Sequence, residues 1–411
     1  MQHSGSTSNT LVARSPRRTA RLWRAALLLP WLVACSGEGR SPELGSSAEA
    51  LTDPYNPGHE FDGKAGTEGP SVASNDIVHY SDPALCSDEV ATFLIVSTDS
   101  QHHYRTLFND QEVRPSTWGS YGTKQFSSRP ACAMRELGAS GGHGFVLVGK
   151  GTDNVLYASP GSWDPHMHDG TPVNPTADTA WTAIDSTTYP TSGSPALATN
   201  AATNAMVVTY VNANGGNKVV VREHALPYEQ QGSNWSAEIA APALPAGWSG
   251  VGTPGITWEP NFNNLFQIVV HVKSGTQSRL LMTYFDPATR KFSGAIPGSP
   301  PGWKQLPIAD TVDSDPALAY SPTLNTTTLY FRSGTQLKQT SGYGDFLGTN
   351  LVHVVGTTAG VTYPNGTGGT QAVSPSALSI PLENSNNIVI ARISTNQLWA
   401  SFSEQDAFLV P

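Results

Sequence analysis

Two aspartates stand at the same position of a repeated phrase, and a glutamate follows a related copy. The phrase reads S-D-P-A-L-C at 81–86 and S-D-P-A-L-A at 314–319, which places Asp82 and Asp315 directly before a proline; Glu259 lies in T-W-E-P. Carboxylates that meet around one pocket could serve as the acid and the base of glycoside hydrolysis, and Arg129, which precedes Pro130, could orient a substrate. Aspartate before proline is also common at turn-to-strand junctions, where it caps backbone N–H groups.

Histidines and further aspartates offer two places for a metal ion. In W-D-P-H-M-H-D-G at 163–170, His166 and His168 alternate, so on a strand both would face one side and could hold a divalent metal. Asp310, Asp313 and Asp315 carry oxygen ligands of the kind that Ca²⁺ prefers. Exposed loops gather the same residue types and no known calcium-loop signature is present, so the sequence favours a protein without a cofactor.

The elements that must position these residues follow from the repeat itself. Six copies of the phrase recur at intervals of roughly 50 to 65 residues, a unit that suits a four-stranded propeller blade. They align on Pro83, Pro130, Pro195, Pro254, Pro316 and Ser376. After each copy come a short apolar strand, a polar turn and a second strand, which is the pattern of hairpins. Only 13% of the residues are charged, and Gly and Pro are abundant.

The sequence therefore predicts an all-β, six-bladed β-propeller of four-stranded blades over residues 71–411. The wide spacing after Pro130 leaves room for a seventh blade as the alternative, and residues 77–80 could supply the last strand of the sixth blade. The first strand of each blade is expected to line the axis, so the residues before the prolines should surround one channel mouth. These are Asp82, Arg129, Ser194, Thr253, Asp315 and Pro375.

Tryptophans in polar settings end many of the units and are the candidate contacts for a ligand. Sugar recognition needs an aromatic face and a few planar polar groups. Each tryptophan could instead pack one blade against the next. The candidates are Trp118, Trp163, Trp181, Trp235 and Trp303.

One hairpin carries a family resemblance. The segment 149–163, G-K-G-T-D-N-V-L-Y-A-S-P-G-S-W, is similar to the blade motif of bacterial and fungal fucose-binding propeller lectins, in which a G-x-D-x-x-L-Y hairpin leads to a tryptophan. Weaker echoes lie at 97–104, 333–340 and 394–401. The resemblance implies a lectin-like propeller whose sugars sit between blades. In the fungal lectins an Arg, a Glu and a Trp that recur in each blade hold the sugar, and no such trio recurs in this sequence.

The N-terminus has the pattern of an export signal. Five arginines within 14–24 precede the apolar run 25–34, which is too short to span a bilayer as a helix. The run ends in L-V-A-C and resembles the lipobox of bacterial lipoproteins, which implies a signal peptide at 1–34, lipidation of Cys35 and a tether at 35–70. Because Ser36 is not aspartate, the resemblance favours the outer membrane of a Gram-negative bacterium. An ordinary secretory signal is the alternative.

Charge and cysteine content limit the partners. The net charge is −9, and removal of residues 1–34, with five arginines and no acids, changes it to −14. This charge argues against nucleic acid and against anionic membrane surfaces as partners, so membrane attachment would come from the lipid alone. Export would permit a disulfide between Cys86 and Cys132, although two small buried thiols remain the alternative.

Together these observations favour an extracytoplasmic, lipid-anchored propeller that acts as a non-enzymatic binding module. Carbohydrate is the favoured ligand, with glycans or cell-surface proteins as partners. A glycoside hydrolase or lyase with carboxylates at the axis is one alternative, and a protein-docking scaffold is the other.

Overall fold

The computed structural model describes residues between 79 and 409 with gaps, the longest of which cover 164–180 and 355–373. The signal peptide and the tether predicted for residues 1–70 lie outside the described residues. The described chain forms six antiparallel sheets that follow one another along the sequence. The prediction of a six-bladed propeller of four-stranded blades is confirmed.

Each sheet is built from consecutive strands that pair in sequence order. Sheet 1 contains β1 (Ala84–Ser87), β2 (Phe93–Thr98), β3 (His103–Asn109) and β4 (Gly119–Gln125). Sheet 2 contains β5 (Ala131–Leu137), β6 (Gly142–Lys150), β7 (Leu156–Trp163) and β8 (Thr182–Ala183). Sheet 3 contains β9 (Ala196–Asn200), β10 (Ala205–Asn212), β11 (Lys218–His224) and β12 (Ile239–Ala240), with a 3-10 helix at Ala213–Gly215.

The other three sheets repeat the arrangement. Sheet 4 contains β13 (Ser249–Glu259), β14 (Leu265–Ser274), β15 (Gln277–Asp286), β16 (Lys291–Ser293) and β17 (Lys304–Gln305), the last of which also pairs with β15. Sheet 5 contains β18 (Ala317–Ser321), β19 (Thr326–Ser333), β20 (Gln336–Gly342) and β21 (His353–Val354). Sheet 6 contains β22 (Ser376–Ser379), β23 (Asn387–Arg392), β24 (Leu398–Phe402) and β25 (Ala407–Leu409).

The apolar core lies between adjacent sheets, which explains the composition of the strands. All eight residues of β10 are buried, because the neighbouring sheets cover both of its faces. One face of sheet 3 packs with sheet 2 through Met206 and Val208, and the other packs with sheet 4 through Val207 and Val211. A strand that is covered on both sides reads as a continuous apolar run rather than as an alternating pattern.

The inner strands form a closed ring around the axis. β1, β5, β9, β13, β18 and β22 contact one another in that order, and β22 contacts β1. The prediction that residues 77–80 complete the sixth sheet is wrong, since β25 is the fourth strand of that sheet. Tyr80 instead donates its backbone N–H to Thr98 of sheet 1 at 2.8 Å. Among the described residues between Pro130 and Pro195, one sheet and no seventh blade is present.

Cys86 and Cys132 form a disulfide that joins the inner strands of sheets 1 and 2, with 5.5 Å between their Cα atoms. The two cysteines differ by one position along their strands: Cys86 is the third residue of β1 and Cys132 the second of β5. Because side chains alternate between the two faces of a strand, that offset turns the two thiols toward the same inter-sheet space. Ala131 and Ala133, which flank Cys132, face sheet 3 instead.

Candidate functional site

Five of the six residues predicted to surround the channel mouth do so, and hydrogen bonds between them pass from sheet to sheet. The Arg129 N–H donates to Ser194 Oγ at 3.0 Å, and the Ser194 N–H donates to Thr253 Oγ1 at 2.9 Å. Thr253 in turn donates to the Asp315 carboxylate. Gly252 makes this approach possible, because a Cβ there would lie 1.7 Å from Asp315 Oδ1.

Sheet 6 closes this ring through Ser374. Its hydroxyl accepts the Asp315 N–H at 3.1 Å, and its own N–H donates to Asp82 Oδ2 at 2.8 Å. The prediction that Pro375 occupies the sixth mouth position is therefore wrong by one residue. β22 begins at Ser376, directly after Pro375, as β18 begins directly after its proline, so Ser374 is the counterpart of Asp315.

The carboxylates of Asp82 and Asp315 accept hydrogen bonds within this ring and do not face solvent. Asp82 is buried, and its Oδ1 also lies 3.4 Å from Arg392 Nε. Burial raises the pKa of Asp82 to about 6, although the nearby Arg392 and Arg129 oppose the increase. Burial likewise raises the pKa of Asp315. The half-buried Arg129 donates from Nη1 to the Pro375 carbonyl at 3.2 Å.

Glu259 does not join the two aspartates. It ends β13, six residues beyond Thr253 at the mouth, which corresponds to about 20 Å of extended strand. Its carboxylate is buried between sheets 4 and 5, where Tyr284 Oη donates to Oε2 at 3.2 Å and the Thr327 hydroxyl donates to Oε1. Burial raises the pKa of Glu259 to about 7.

The axial channel is too small for a sugar. The inner-strand residues from Pro83 to Ala377 enclose a cavity of about 70 Å³, whereas ligand pockets usually measure about 300–1,000 Å³. Acid–base hydrolysis needs two carboxylates that flank one glycosidic bond. In the described residues, Asp82 and Asp315 accept backbone N–H groups and Glu259 lies far from both. These three carboxylates therefore do not form a hydrolytic pair.

Most of the candidate tryptophans pack between sheets. Trp118 is buried beside His79, with 4.8 Å between the ring centroids, and Trp235 is buried beside His224 at 5.2 Å. The half-buried Trp303 donates from Nε1 to a backbone carbonyl of the chain that follows sheet 3, at 2.8 Å. The backbone of Trp163 belongs to β7, and its side chain lies outside the described residues.

The half-buried Trp181 also packs between sheets, but unlike that of Trp303 its Nε1 has no acceptor among the described residues. It stands just before β8, and its ring contacts Phe126 of sheet 1 at a centroid distance of 4.5 Å. Gly122, which has a φ of +73°, lies beside this Nε1, and a Cβ on that glycine would approach it to 3.4 Å.

Three further side chains lie at the same boundary between sheets 1 and 2, where Tyr157 and Trp181 pack against one core cluster. Lys124 Nζ of sheet 1 lies 3.5 Å from the centroid of the Tyr157 ring of sheet 2, which is a cation–π contact. The Tyr157 hydroxyl donates to Asp153 Oδ2 at 2.6 Å, and this carboxylate raises the pKa of Tyr157 to about 12. We call Lys124, Asp153, Tyr157 and Trp181 the aromatic seam.

The hairpin with the lectin-like motif builds the second half of the aromatic seam. Asp153 Oδ1 accepts the Val155 N–H at 3.1 Å, a local bond that closes the turn. Asn154 adopts a φ of +62°, a conformation that asparagine tolerates better than most residues. The turn thus brings Asp153 within hydrogen-bonding distance of the Tyr157 hydroxyl. In this way the motif residues hold the Tyr157 ring at the sheet boundary.

A second polar cluster lies between sheets 2 and 3, and sequence reasoning missed it. The buried Arg222 forms an ion pair with Asp185 and lies 4.0 Å from Glu238 Oε1. Tyr210 Oη donates to Glu238 Oε1 at 2.6 Å, and Asn212 Nδ2 donates to the same oxygen at 3.0 Å. The members are distant in sequence and match no motif, so only the sheet order brings them together.

The aspartates considered for calcium have separate partners. Asp310 forms an ion pair with Lys338, Asp313 accepts the Gly334 N–H at 2.7 Å, and Asp315 belongs to the mouth ring. Among the described residues no group of three metal-ligating side chains occurs. His166 and His168 lie outside the described residues.

Two features predicted for the N-terminus also lie outside them: the lipidation site at Cys35 and the apolar run before it. In the part of the chain that the structure describes, no helix is long and apolar enough to cross a membrane.

Solved structures share this architecture, whereas no protein-family model and no curated protein matches the chain. A fungal lectin from Aleuria aurantia, described as a six-bladed β-propeller with a novel fucose recognition mode, is 11% identical with a TM-score of 0.52; the match covers 82% of this chain and 96% of that chain. The BP39L lectin from Burkholderia pseudomallei is 15% identical with a TM-score of 0.48, over 79% of this chain and 96% of that one. The Aleuria match agrees with the six sheets described above.

Proposed function

We propose that this protein is a non-enzymatic carbohydrate-binding module and that the aromatic seam holds the glycan. The observation that carries the proposal is the combination found there of half-buried Tyr157 and Trp181 rings with polar groups on both sides. Sugars are recognised by an aromatic face for their C–H groups and by a few planar polar groups for their hydroxyls. The seam is built by the hairpin that resembles the blade motif of fucose-binding propeller lectins, and its position between two sheets matches the place where those lectins bind sugars.

The structure favours the aromatic seam over the axis as the functional site. Asp82 and Asp315 accept backbone N–H groups at the mouth, and the axial cavity of about 70 Å³ is smaller than ligand pockets usually are. Packed between sheets, Trp118 and Trp235 are inaccessible to a ligand of this size.

Glycan-array binding of the purified full chain tests the proposal, with the same sugars checked for cleavage. We expect binding without turnover. Tyr157→Ala should weaken binding about tenfold, because an aromatic contact is worth about 0.5–1.5 kcal/mol beyond its buried area. Tyr157→Phe keeps the ring and should retain most of the affinity.

Tyr320→Ala provides a matched control, since Tyr320 is a half-buried tyrosine of sheet 5 whose hydroxyl also bonds an acceptor in its own hairpin, Asn325 at 2.8 Å. Thermal unfolding of each variant confirms that it is folded. If Tyr157→Ala and Tyr320→Ala bind a retained glycan equally well, the site is not the aromatic seam. Cleavage of a bound glycan would move the function to the hydrolase alternative.

The location of the module is a separate proposal that rests on the N-terminal sequence. Lipid on Cys35 would hold the propeller outside the cytoplasm, on the outer membrane, where glycans or cell-surface proteins are available as partners. Metabolic labelling with an alkyne fatty acid tests it: the native chain should incorporate label and partition with outer-membrane fractions, and Cys35→Ala should do neither. Label on the Cys35→Ala protein would refute the assignment.

A further inference from the structure

We infer that the glycan of the aromatic seam carries a carboxylate, as uronic acids do, and that Lys124 determines this specificity. The inference rests on the proposed function, because it names the class of ligand for the same site.

The first observation is the state of the cations at two other sheet boundaries. Between sheets 2 and 3, Arg222 is neutralised by Asp185 with Glu238 beside it, and between sheets 4 and 5, Lys338 is paired with Asp310. Each of these cations already has an anionic partner within the protein. An acidic ligand would therefore have to displace a carboxylate from either of them.

Lys124 forms no such ion pair among the described residues. Its ammonium group lies over the Tyr157 ring, and no described carboxylate forms an ion pair with it. Asp153 is the nearby acid and its charge interacts with that of Lys124, but the two groups form no ion pair, and the Asp153 oxygens accept the Val155 N–H and the Tyr157 hydroxyl. The aromatic face holds the Lys124 charge at the sheet boundary, within a chain whose net charge is −9.

The second observation is a donor without an acceptor. Trp181 Nε1 is buried, and it has no hydrogen-bond partner among the described residues. An unsatisfied buried donor costs free energy, so a ligand oxygen that reaches it is stabilised. Gly122 leaves the space beside Nε1 free of a side chain. The strands place Lys124 and Trp181 at the same boundary. Lys124 belongs to β4 together with Gly122, which lies beside Trp181 Nε1. Trp181 directly precedes β8, which pairs with Tyr157 of β7.

A carboxylate fits this pair of donors better than a hydroxyl does. It accepts from several directions and has no proton to donate, so it can receive one bond from an ammonium group and one from an indole N–H. The ammonium–carboxylate bond is charge-assisted, and such bonds are about twice as strong as neutral ones. A neutral sugar at the same place would use the aromatic rings but would give Lys124 no ion pair.

Matched pairs of glycans test the inference on the full chain. We would print oligomers of galacturonate, of alginate and of hyaluronan, each beside its carboxyl-reduced neutral counterpart, on an array that also carries unrelated neutral glycans. The acidic member of at least one pair should bind about tenfold more tightly, and high salt should reduce that difference. Calorimetry on the best pair should then show that Lys124→Gln removes the preference and that Lys124→Arg retains it.

Lys273→Gln is the matched control, because Lys273 is an exposed lysine on β14, outside the aromatic seam. Its affinities should equal those of the native protein. If the neutral member of every pair binds as well as the acidic one, the inference fails while the proposed function stands. Binding of unrelated neutral glycans alone has the same meaning. If no glycan binds, both fail. An acidic preference that survives Lys124→Gln overturns the role of Lys124.

Discussion

Replacement of Glu259 by glutamine should change the pH dependence of stability in a direction that the buried carboxylate fixes. Glu259 is 1% exposed and has two hydroxyl donors, but no described cation forms an ion pair with it. Burial therefore disfavours the charged form and raises its pKa from 4.5 to about 7. The folded state holds this proton more tightly than the unfolded state does.

The sign follows from proton linkage. A raised carboxyl pKa contributes stability that is fully present below about pH 4.5 and is lost as the pH rises through about 7. One pKa unit corresponds to about 1.4 kcal/mol, so this one group should cost the native protein about 3 kcal/mol between pH 4.5 and pH 8. Glu259→Gln carries no ionisable group, so it should avoid that loss.

Urea unfolding of both proteins across this pH range, followed by tryptophan fluorescence, is the assay. The free energy of unfolding of Glu259→Gln relative to the native protein should increase by about 3 kcal/mol from pH 4.5 to pH 8. Every other titrating group is common to both proteins and cancels in the difference. The measurement at low pH, where both side chains are neutral, is the internal control. A difference that does not change with pH would refute the reasoning.

Three further changes should weaken the fold. Asp82→Ala removes the carboxylate that forms an ion pair with the half-buried Arg392 and accepts the Ser374 N–H, and urea unfolding should show a loss of about 3–5 kcal/mol; Asp82→Asn, which can still accept that N–H, should lose less, and equal losses would contradict the capping role. Reduction of the disulfide Cys86–Cys132, which closes a loop of 46 residues, should lower stability by about 4 kcal/mol in the chain-entropy description, and an unchanged unfolding midpoint with dithiothreitol would contradict it. Trp303→Phe keeps an aromatic ring but replaces the indole, removes its bond to a backbone carbonyl and should cost at least about 1 kcal/mol, measured by thermal unfolding, so an equal melting temperature would show that this bond contributes nothing.

The architecture could be predicted from the repeat because the repeated residues determine the local structure of each inner strand. Proline fits the start of an inner strand, where no ladder donor is needed, and alanine and leucine follow because the axis is crowded. The sixth copy was misaligned by one residue, since Pro375 and Ser376 offer two ways to match the phrase. The start of β22 directly after Pro375 and the bond between Ser374 and Asp82 decide between them.

The candidate site was harder to predict because it depends on pairs that are distant in sequence. Tyr157 belongs to the motif that the sequence singled out, but its partner Lys124 comes from the preceding sheet and matches no motif. Arg222, Asp185 and Glu238 were missed for the same reason. Asp82 and Asp315 were identified as special, and the alternative that they cap backbone N–H groups describes them correctly. No sequence pattern indicated that these carboxylates accept N–H groups from a neighbouring sheet.

The way in which the ring of six sheets closes has a consequence for circular permutation of the chain. β25 is the fourth strand of sheet 6, so among the described residues the boundaries of the sheets coincide with the boundaries of the repeat. The ring closes through side-chain packing and the bond between Ser374 and Asp82 rather than through a shared strand. Joining the ends of the propeller and opening the chain in any linker between sheets would therefore leave six whole sheets. A circularly permuted chain would therefore contain the sheets in a different order along its sequence and would form the same propeller.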